Sequence, residues 1–139
     1  MSPSVAPVTK VIYLCDEVFV DSSSQKLHLL GLLNSLRIDE AAFPFRLERL
    51  CVFVQMTDGL GTFAGYVEIV NARTGELVYR TPAHEWMFSR RTQLVYANFR
   101  ILNCLFPEPG SYLVEFYCGG TFVDDRVLRV RITGETNHE

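Results

Sequence analysis

The most constraining feature of the sequence is a proline-rich corner that runs directly into a strand pattern. In residues 106–112, FPEPGSY, two prolines end regular structure and Gly110 then permits a tight turn. From this corner apolar side chains alternate on one strand face, at Tyr112, Val114, Phe116 and Cys118. Because Gly119-Gly120 then predicts a hairpin into another alternating segment, this region is typical of an antiparallel β-sandwich.

Strand patterns recur along the rest of the chain at the spacing of a sandwich. They fall at residues 11–20, 50–57, 62–71 and 93–102, with turn signals between them. We therefore predict an all-β, immunoglobulin-like antiparallel β-sandwich of about seven to nine strands. The domain is expected to span residues 10–133, between a flexible N-terminal arm (1–9) and a C-terminal tail (134–139).

One segment, residues 27–38, fits two structures. Its leucines at positions 29, 32, 33 and 36 have helical spacing. Gly31 and the flanking turn residues favour a strand instead, so pattern alone leaves helix and strand open.

Composition bounds the class of protein. The 139 residues suit one domain, and a net charge of −3 argues against a nucleic-acid partner. No apolar stretch approaches the roughly 18 residues of a membrane span, and no basic leader precedes one. The four cysteines are expected to be buried and reduced. These features predict a cytoplasmic protein that binds neither membrane nor nucleic acid.

The corner also predicts a structural role for Pro109, Gly110 and Tyr112. It resembles the tyrosine corner of immunoglobulin-type sandwiches, in which the tyrosine hydroxyl bonds to the chain upstream. Antibody domains carry a cysteine two residues later, where this chain has Val114. The likeness therefore concerns architecture and implies no activity.

No pattern predicts a catalytic, cofactor or metal site, and we expect a protein that is not an enzyme. Cys15 and Asp16 are neighbours on a strand and so point to opposite faces. Neither His28 nor His84 lies at metal-ligand spacing from a cysteine or another histidine.

The segment of residues 82–91 is the candidate interaction surface. Its candidate contact residues are Trp86, Met87, Phe88, Arg90 and Arg91. Trp, Met and Arg are enriched at protein interfaces. The alternative is that Trp86 and Phe88 fill the core from a further strand.

Residues 50–56 carry apolar side chains on both faces, which indicates a strand that is covered on both sides or that faces a partner. The expected function is a non-enzymatic module that binds another protein or itself. The alternative is a small-molecule or carbohydrate site built around Trp86 and Tyr96.

Several segments together resemble an uncharacterised bacterial family of small all-β proteins. They are LCDEV at 14–18, KLHLLGL at 26–32, FPF at 43–45, LCVFV at 50–54 and the PGSY corner. Ser24-Gln25 stands where that family often has a glycine before the lysine. The resemblance covers most of residues 11–132. It implies a strand for residues 27–38 and supplies no activity.

Overall fold

The chain folds into eleven β-strands, as described by a computed structural model for residues 4–134. The strands are β1 (Val8–Cys15), β2 (Glu17–Val20), β3 (Leu27–Leu30), β4 (Ser35–Ile38), β5 (Phe45–Thr57), β6 (Gly61–Asn71), β7 (Leu77–Arg80), β8 (His84–Phe88), β9 (Val95–Phe106), β10 (Gly110–Cys118) and β11 (Thr121–Ile132). A single 3₁₀ turn, Glu40–Ala42, is the other regular element of the described residues. The fold is therefore all-β. It has more strands than the predicted seven to nine, because five of them are only four or five residues long.

The strands form two main sheets and one hairpin. The smaller sheet has the order β1-β5-β9, and the larger has the order β4-β11-β10-β6-β7, with β8 also paired to β6. β2 and β3 form the hairpin. Neighbouring strands are antiparallel, except that β4 runs parallel to β11. The prediction of a wholly antiparallel sheet is thus wrong at this edge, where an early strand is added beside a late one.

One core joins the inner faces of the two main sheets. Phe99 on β9 and Phe116 on β10 have ring centroids 6.0 Å apart, and both side chains are buried. Burying a large apolar side chain contributes about 1.5–3 kcal/mol relative to leaving it exposed. Burial of these side chains is therefore the main source of stability. The alternation seen in the sequence makes it possible, because it directs one face of each long strand into this core.

Residues 27–38 form two short strands, so the helical alternative is wrong. β3 pairs with β2, and β4 pairs with β11. Between them Gly31 has a φ of 69°, and a Cβ there would lie 2.2 Å from a carboxylate oxygen of Asp16. Glycine is required at this break because the backbone is left-handed and Asp16 packs against it.

The prediction of a flexible N-terminal arm over residues 1–9 is wrong for residues 4–9, and residues 1–3 lie outside the described residues. Val5 forms an isolated bridge with Leu60, Pro7 is buried, and β1 already begins at Val8. At the other end β11 ends at Ile132, and all but the first residue of the predicted tail lies outside the described residues. Residues 4–9 thus belong to the fold.

The corner between β9 and β10 is held by a buried tyrosine. The Tyr112 hydroxyl donates to the Glu108 carbonyl oxygen at 2.6 Å, and its ring packs edge-on against Phe106. The Glu108 carboxylate in turn accepts from Asn71 Nδ2 at 3.0 Å and from Arg73 Nη2 at 2.6 Å. The predicted structural corner is therefore present, and it also anchors the turn after β6.

Replacing Tyr112 by phenylalanine should destabilise the protein by about 1 kcal/mol or more. The ring would stay in place, but the Glu108 carbonyl would lose its donor. The measurement is the free energy of unfolding from urea denaturation. Tyr13→Phe is the matched control, because Tyr13 is 45% exposed, and it should change stability by less than about 0.5 kcal/mol. Equal midpoints for Tyr112→Phe and wild type would contradict a structural role for the hydroxyl.

Candidate interaction surface

The segment predicted as a contact surface is largely a core strand. β8 pairs with β6 from His84 to Phe88, and its side chains alternate between core and solvent. Phe88 is only 1% exposed, whereas Met87 is 65% exposed. The segment is therefore not a surface loop, because the chain resumes strand pairing at His84, two residues after Pro82.

Trp86 is half-buried and packs against the core. Its ring lies edge-on to Phe99 and Phe116, with centroid distances of 6.0 and 6.1 Å. On the other side it covers Gly65, where an added Cβ would lie 2.7 Å from the indole ring. The alternative reading of the sequence, in which Trp86 and Phe88 fill the core, is the one that the structure supports.

The two arginines that follow lie in an exposed turn. Arg91 forms an ion pair with Asp58, with 2.8 Å between Nη2 and Oδ1, and its carbonyl oxygen accepts from the Asp58 backbone N–H. Arg90 is exposed and its carbonyl accepts from the Gln93 N–H. Arg91 thus links two turns. Of the five predicted contact residues, only Met87 and Arg90 have side chains that remain available to a partner.

Trp86→Ala should lower the melting temperature strongly, because it removes ring contacts with Phe99 and Phe116 and leaves a cavity. Truncation of a packed Trp costs about 3 kcal/mol or more. Met87→Ala is the matched neighbour on the opposite face and should stay within about 0.5 kcal/mol of wild type. Thermal denaturation followed by circular dichroism compares them. Unchanged stability of Trp86→Ala would show that the indole does not support the core.

A second surface, which we call the outer face, is formed by the solvent side of the smaller sheet. The strand registers place its side chains in three rows. The rows are Val11, Gln55 and Tyr96; Tyr13, Phe53 and Asn98; and Cys15, Cys51 and Arg100. This face explains why residues 50–56 are apolar on both sides.

The upper part of the outer face is aromatic. Phe53 is 6% exposed and lies opposite Tyr13 on β1, with its ring centroid 5.7 Å from that of Tyr96. Tyr13 and Tyr96 themselves are each nearly half exposed. Two accessible tyrosines thus flank a buried phenylalanine on one sheet face.

Tyr96 and Trp86 lie on opposite sides of the smaller sheet. Tyr96 belongs to the outer face, while Trp86 packs on Phe99 inside the core. The structure therefore does not bring together the two residues around which a ligand site was expected.

The lower part of the outer face holds two buried thiols under the β2–β3 hairpin. The Cys15 thiol donates to the Glu17 carbonyl oxygen, and the Cys51 thiol donates to the Asp16 carbonyl oxygen. Burial, together with the neighbouring Cys51, raises the pKa of the Cys15 thiol to about 11. A neutral, buried thiol is a poor nucleophile, so Cys15 has the properties of a packing residue.

Two other buried thiols show the same effect. Burial raises the pKa of Cys104 to about 12 and that of Cys118 to about 11. All four cysteines are buried and unpaired.

Because these pKa values are raised above 9.0 by folding, the neutral thiols favour the folded state. This contribution of the neutral thiols to the free energy of unfolding is fully present below pH 9 and is lost as the pH rises through about 11. The urea midpoint should therefore decrease when the pH is raised from 8 to 10.5. The decrease should be smaller in Cys104→Ala than in wild type. An identical loss in Cys104→Ala would contradict this linkage.

The backbone directions show that β9 has an unpaired edge. The Leu33 N–H donates to the Leu14 carbonyl oxygen, so the backbone carbonyl of Leu14 points away from β5. Alternate residues of an antiparallel strand point to opposite edges. Following this alternation across the sheet, the backbone groups that face away from β5 on β9 belong to Tyr96, Asn98, Arg100 and Leu102. Within residues 4–134 no strand pairs with this edge.

The side chains beside this edge are mostly apolar and accessible. Leu94 is 58% exposed and Leu102 is 50% exposed. Arg100 is exposed and forms no ion pair with any residue between positions 4 and 134. The Asn98 side-chain oxygen is buried and has no hydrogen-bond partner in the same part of the chain. Among the described residues, the edge therefore combines unpaired backbone groups, exposed leucines and one buried side-chain oxygen that lacks a hydrogen-bond partner.

Three further observations on the described residues are relevant to function. A groove of about 440 Å³ between β1 and β11 is lined by Tyr13, Leu32, Asn34 and Arg126, among others. Between residues 4 and 134, no three potential metal-ligating side chains come together. In the same range, no helix has the length and apolar character needed to cross a membrane.

These features define a small all-β domain with a long unpaired sheet edge next to an aromatic face. The chain belongs to a family of unknown function, DUF6941, whose model matches residues 10–131. This match confirms the resemblance to an uncharacterised family that the sequence motifs indicated. No curated protein matches the chain.

The surface formed by β9 was missed in the sequence. The apolar outer side of β5 was a usable signal, because it showed that something covers Cys51 and Phe53. Which strand ends the sheet is set by pairing between distant segments, and no local pattern carries that information.

Proposed function

We propose that the protein is a non-enzymatic interaction module that binds an extended polypeptide segment along the free edge of β9. The bound segment would continue the smaller sheet and place its side chains beside the outer face. The observation that carries this proposal is the unpaired edge of β9 from Val95 to Leu102, which is flanked by exposed apolar side chains.

Proteins usually protect long sheet edges. Short strands, lysines, prolines and bulges are the common devices. The other ends of the two sheets use such devices: β4 and β7 have only four residues each, and the edge of β1 is partly covered by the Leu33 backbone. Residues 95–102 contain no proline, lysine or glycine. β9 therefore has the character of a strand that is kept available for pairing.

The outer face would supply side-chain contacts beside the backbone pairing. Tyr96 lies at the edge, and Phe53 and Tyr13 extend the aromatic surface inward. Tyrosine is enriched among the residues that dominate binding energy at interfaces. Each backbone hydrogen bond adds a net of about 0.5–1.5 kcal/mol, so several together support specific binding.

As part of this proposal we assign the domain to the immunoglobulin-like sandwiches. The assignment is supported by the Tyr112 hydroxyl bond to Glu108 and by two sheets that share one core. We also place the module in the cytoplasm, since four buried unpaired thiols suit a reducing compartment.

A small-molecule or carbohydrate-binding domain is the second candidate. The feature that favours it is the pair of accessible tyrosines, Tyr13 and Tyr96, beside the side-chain amides of Gln55 and Asn98. Small-ligand sites are normally concave, whereas this part of the outer face is a sheet surface, so it ranks second. Ligand binding that is lost in Tyr13→Ala and kept in an edge-blocked variant would favour it.

The edge proposal is tested with a random twelve-residue peptide library displayed on phage. Peptides selected on the wild-type protein are synthesised and titrated by calorimetry against Arg100→Pro and Arg100→Thr. The N–H of residue 100 faces the free edge, so proline there removes a donor to the partner and leaves the β5 ladder intact. We expect Arg100→Pro to weaken binding about tenfold or more, while Arg100→Thr, which keeps the N–H, binds within a few-fold of wild type.

Amide hydrogen exchange of the wild-type complex gives a second measurement that does not depend on the folding of Arg100→Pro. Bound peptide should slow exchange at Tyr96, Asn98, Arg100 and Leu102. Slowed exchange confined to other strands, or peptides that bind Arg100→Pro as tightly as wild type, would overturn the proposal.

A further inference from the structure

We infer that the segment accepted by the β9 edge is β9 of a second copy of this chain, paired antiparallel about a twofold axis at Asn98. This inference rests on the proposed function, because it names the partner of the same edge. The result would be a continuous six-stranded sheet with the order β1-β5-β9 in one protomer followed by β9-β5-β1 in its partner.

The residues that face the free edge have a pattern that is complementary to itself. Reading outward from Asn98, they are Tyr96 and Arg100, then Leu102 and, directly before the first residue of β9, Leu94. An antiparallel pair centred on Asn98 therefore sets Leu94 against Leu102 of the second copy, and Tyr96 against its Arg100. Each leucine meets a leucine, and each guanidinium meets a tyrosine ring, which is a favourable cation–π pair.

Pairing centred on Asn98 also brings a hydrogen-bond partner to the side chain of Asn98. Its carboxamide oxygen has no partner among residues 4–134. At the twofold axis two identical carboxamides face each other, and each carries both a donor and an acceptor. If each amide turns outward from its buried position, each oxygen can accept a hydrogen bond from the carboxamide of the other copy.

The neighbouring registers are less favourable. A twofold axis at Arg100 would set two guanidinium groups directly opposite each other, and like charges at opposed positions destabilise a strand pair. An axis at Tyr96 would place Thr92, which precedes β9, opposite Arg100 and so shorten the paired region. The register centred on Asn98 keeps both copies paired along the exposed part of β9.

The isologous geometry follows the usual rule for dimers. In a twofold interface the same patch is used by both protomers, so it must be complementary to itself. The edge of β9 fulfils this condition in its backbone groups and in its side chains. The outer faces of the two copies would then lie on the same side of the joined sheet, with Tyr96 of each copy beside the axis.

The test begins with the mass of the full chain in solution, by sedimentation equilibrium over a range of protein concentrations. We expect a dimer for wild type and for Arg100→Thr, and a monomer for Arg100→Pro. A wild-type protein that stays monomeric at every concentration would overturn the inference. It would leave the proposed function to its own test with the peptide library, so the two failures are distinguishable.

The register is tested by crosslinking single-cysteine additions with a short bis-maleimide, each end of which takes the addition of one thiol. Asn98→Cys should crosslink to itself, because residue 98 faces its own copy. Arg100→Cys alone should not, since the two copies of residue 100 would be about 14 Å apart along the strands. A mixture of Tyr96→Cys and Arg100→Cys protomers should crosslink to each other.

The four native cysteines are buried, so wild type treated in the same way is the background control. Self-crosslinking by Arg100→Cys, or none by Asn98→Cys in a dimer, would show a different register or a different interface. A dimer that persists in folded Arg100→Pro would likewise exclude the β9 edge as its interface.

Discussion

Apolar packing between the two sheets stabilises the fold, and the hydrogen bond from the Tyr112 hydroxyl to the Glu108 carbonyl oxygen holds the corner that joins them. The corner that it closes carries the chain from β9, in the smaller sheet, to β10, in the larger one. Asn71 and Arg73 bind the Glu108 carboxylate, so the end of β6 is attached to the same point. This contact therefore holds the end of β9, while pairing with β5 sets the position of the rest of the strand, including its unpaired edge.

Much of the fold was readable from the sequence because its signals are local. The prolines and glycine of the corner, the alternation from Tyr112, and the Gly119-Gly120 hairpin all act within a few residues, and each has the expected structure. Residues 27–38 were different, because helical and strand spacing fitted equally well. There the family resemblance, rather than the local pattern, gave the correct strand assignment.

The surface was harder to predict because it depends on contacts between distant segments. Pro82 follows the end of β7, but whether the chain pairs again from His84 depends on the edge that β6 offers. The apolar outer side of β5 showed that Cys51 and Phe53 are covered, without showing by what. The free edge of β9 and the parallel pairing of β4 have no local signature, since both follow from the order of strands in the assembled sheets.

The parallel pairing of β4 with β11 has a consequence for how the chain assembles during synthesis. Ser35 lies opposite Arg129, so β4 leaves the ribosome long before the strand that will hold it. Contacts between such distant positions form late, because a long loop must be closed first. Until β11 is made, Leu36 and Ile38 lack their neighbouring strand, and exposed apolar strands of this kind are prone to aggregate. The growing chain therefore passes through a stage at which the strand that will end the larger sheet has been made but has no neighbour to pair with.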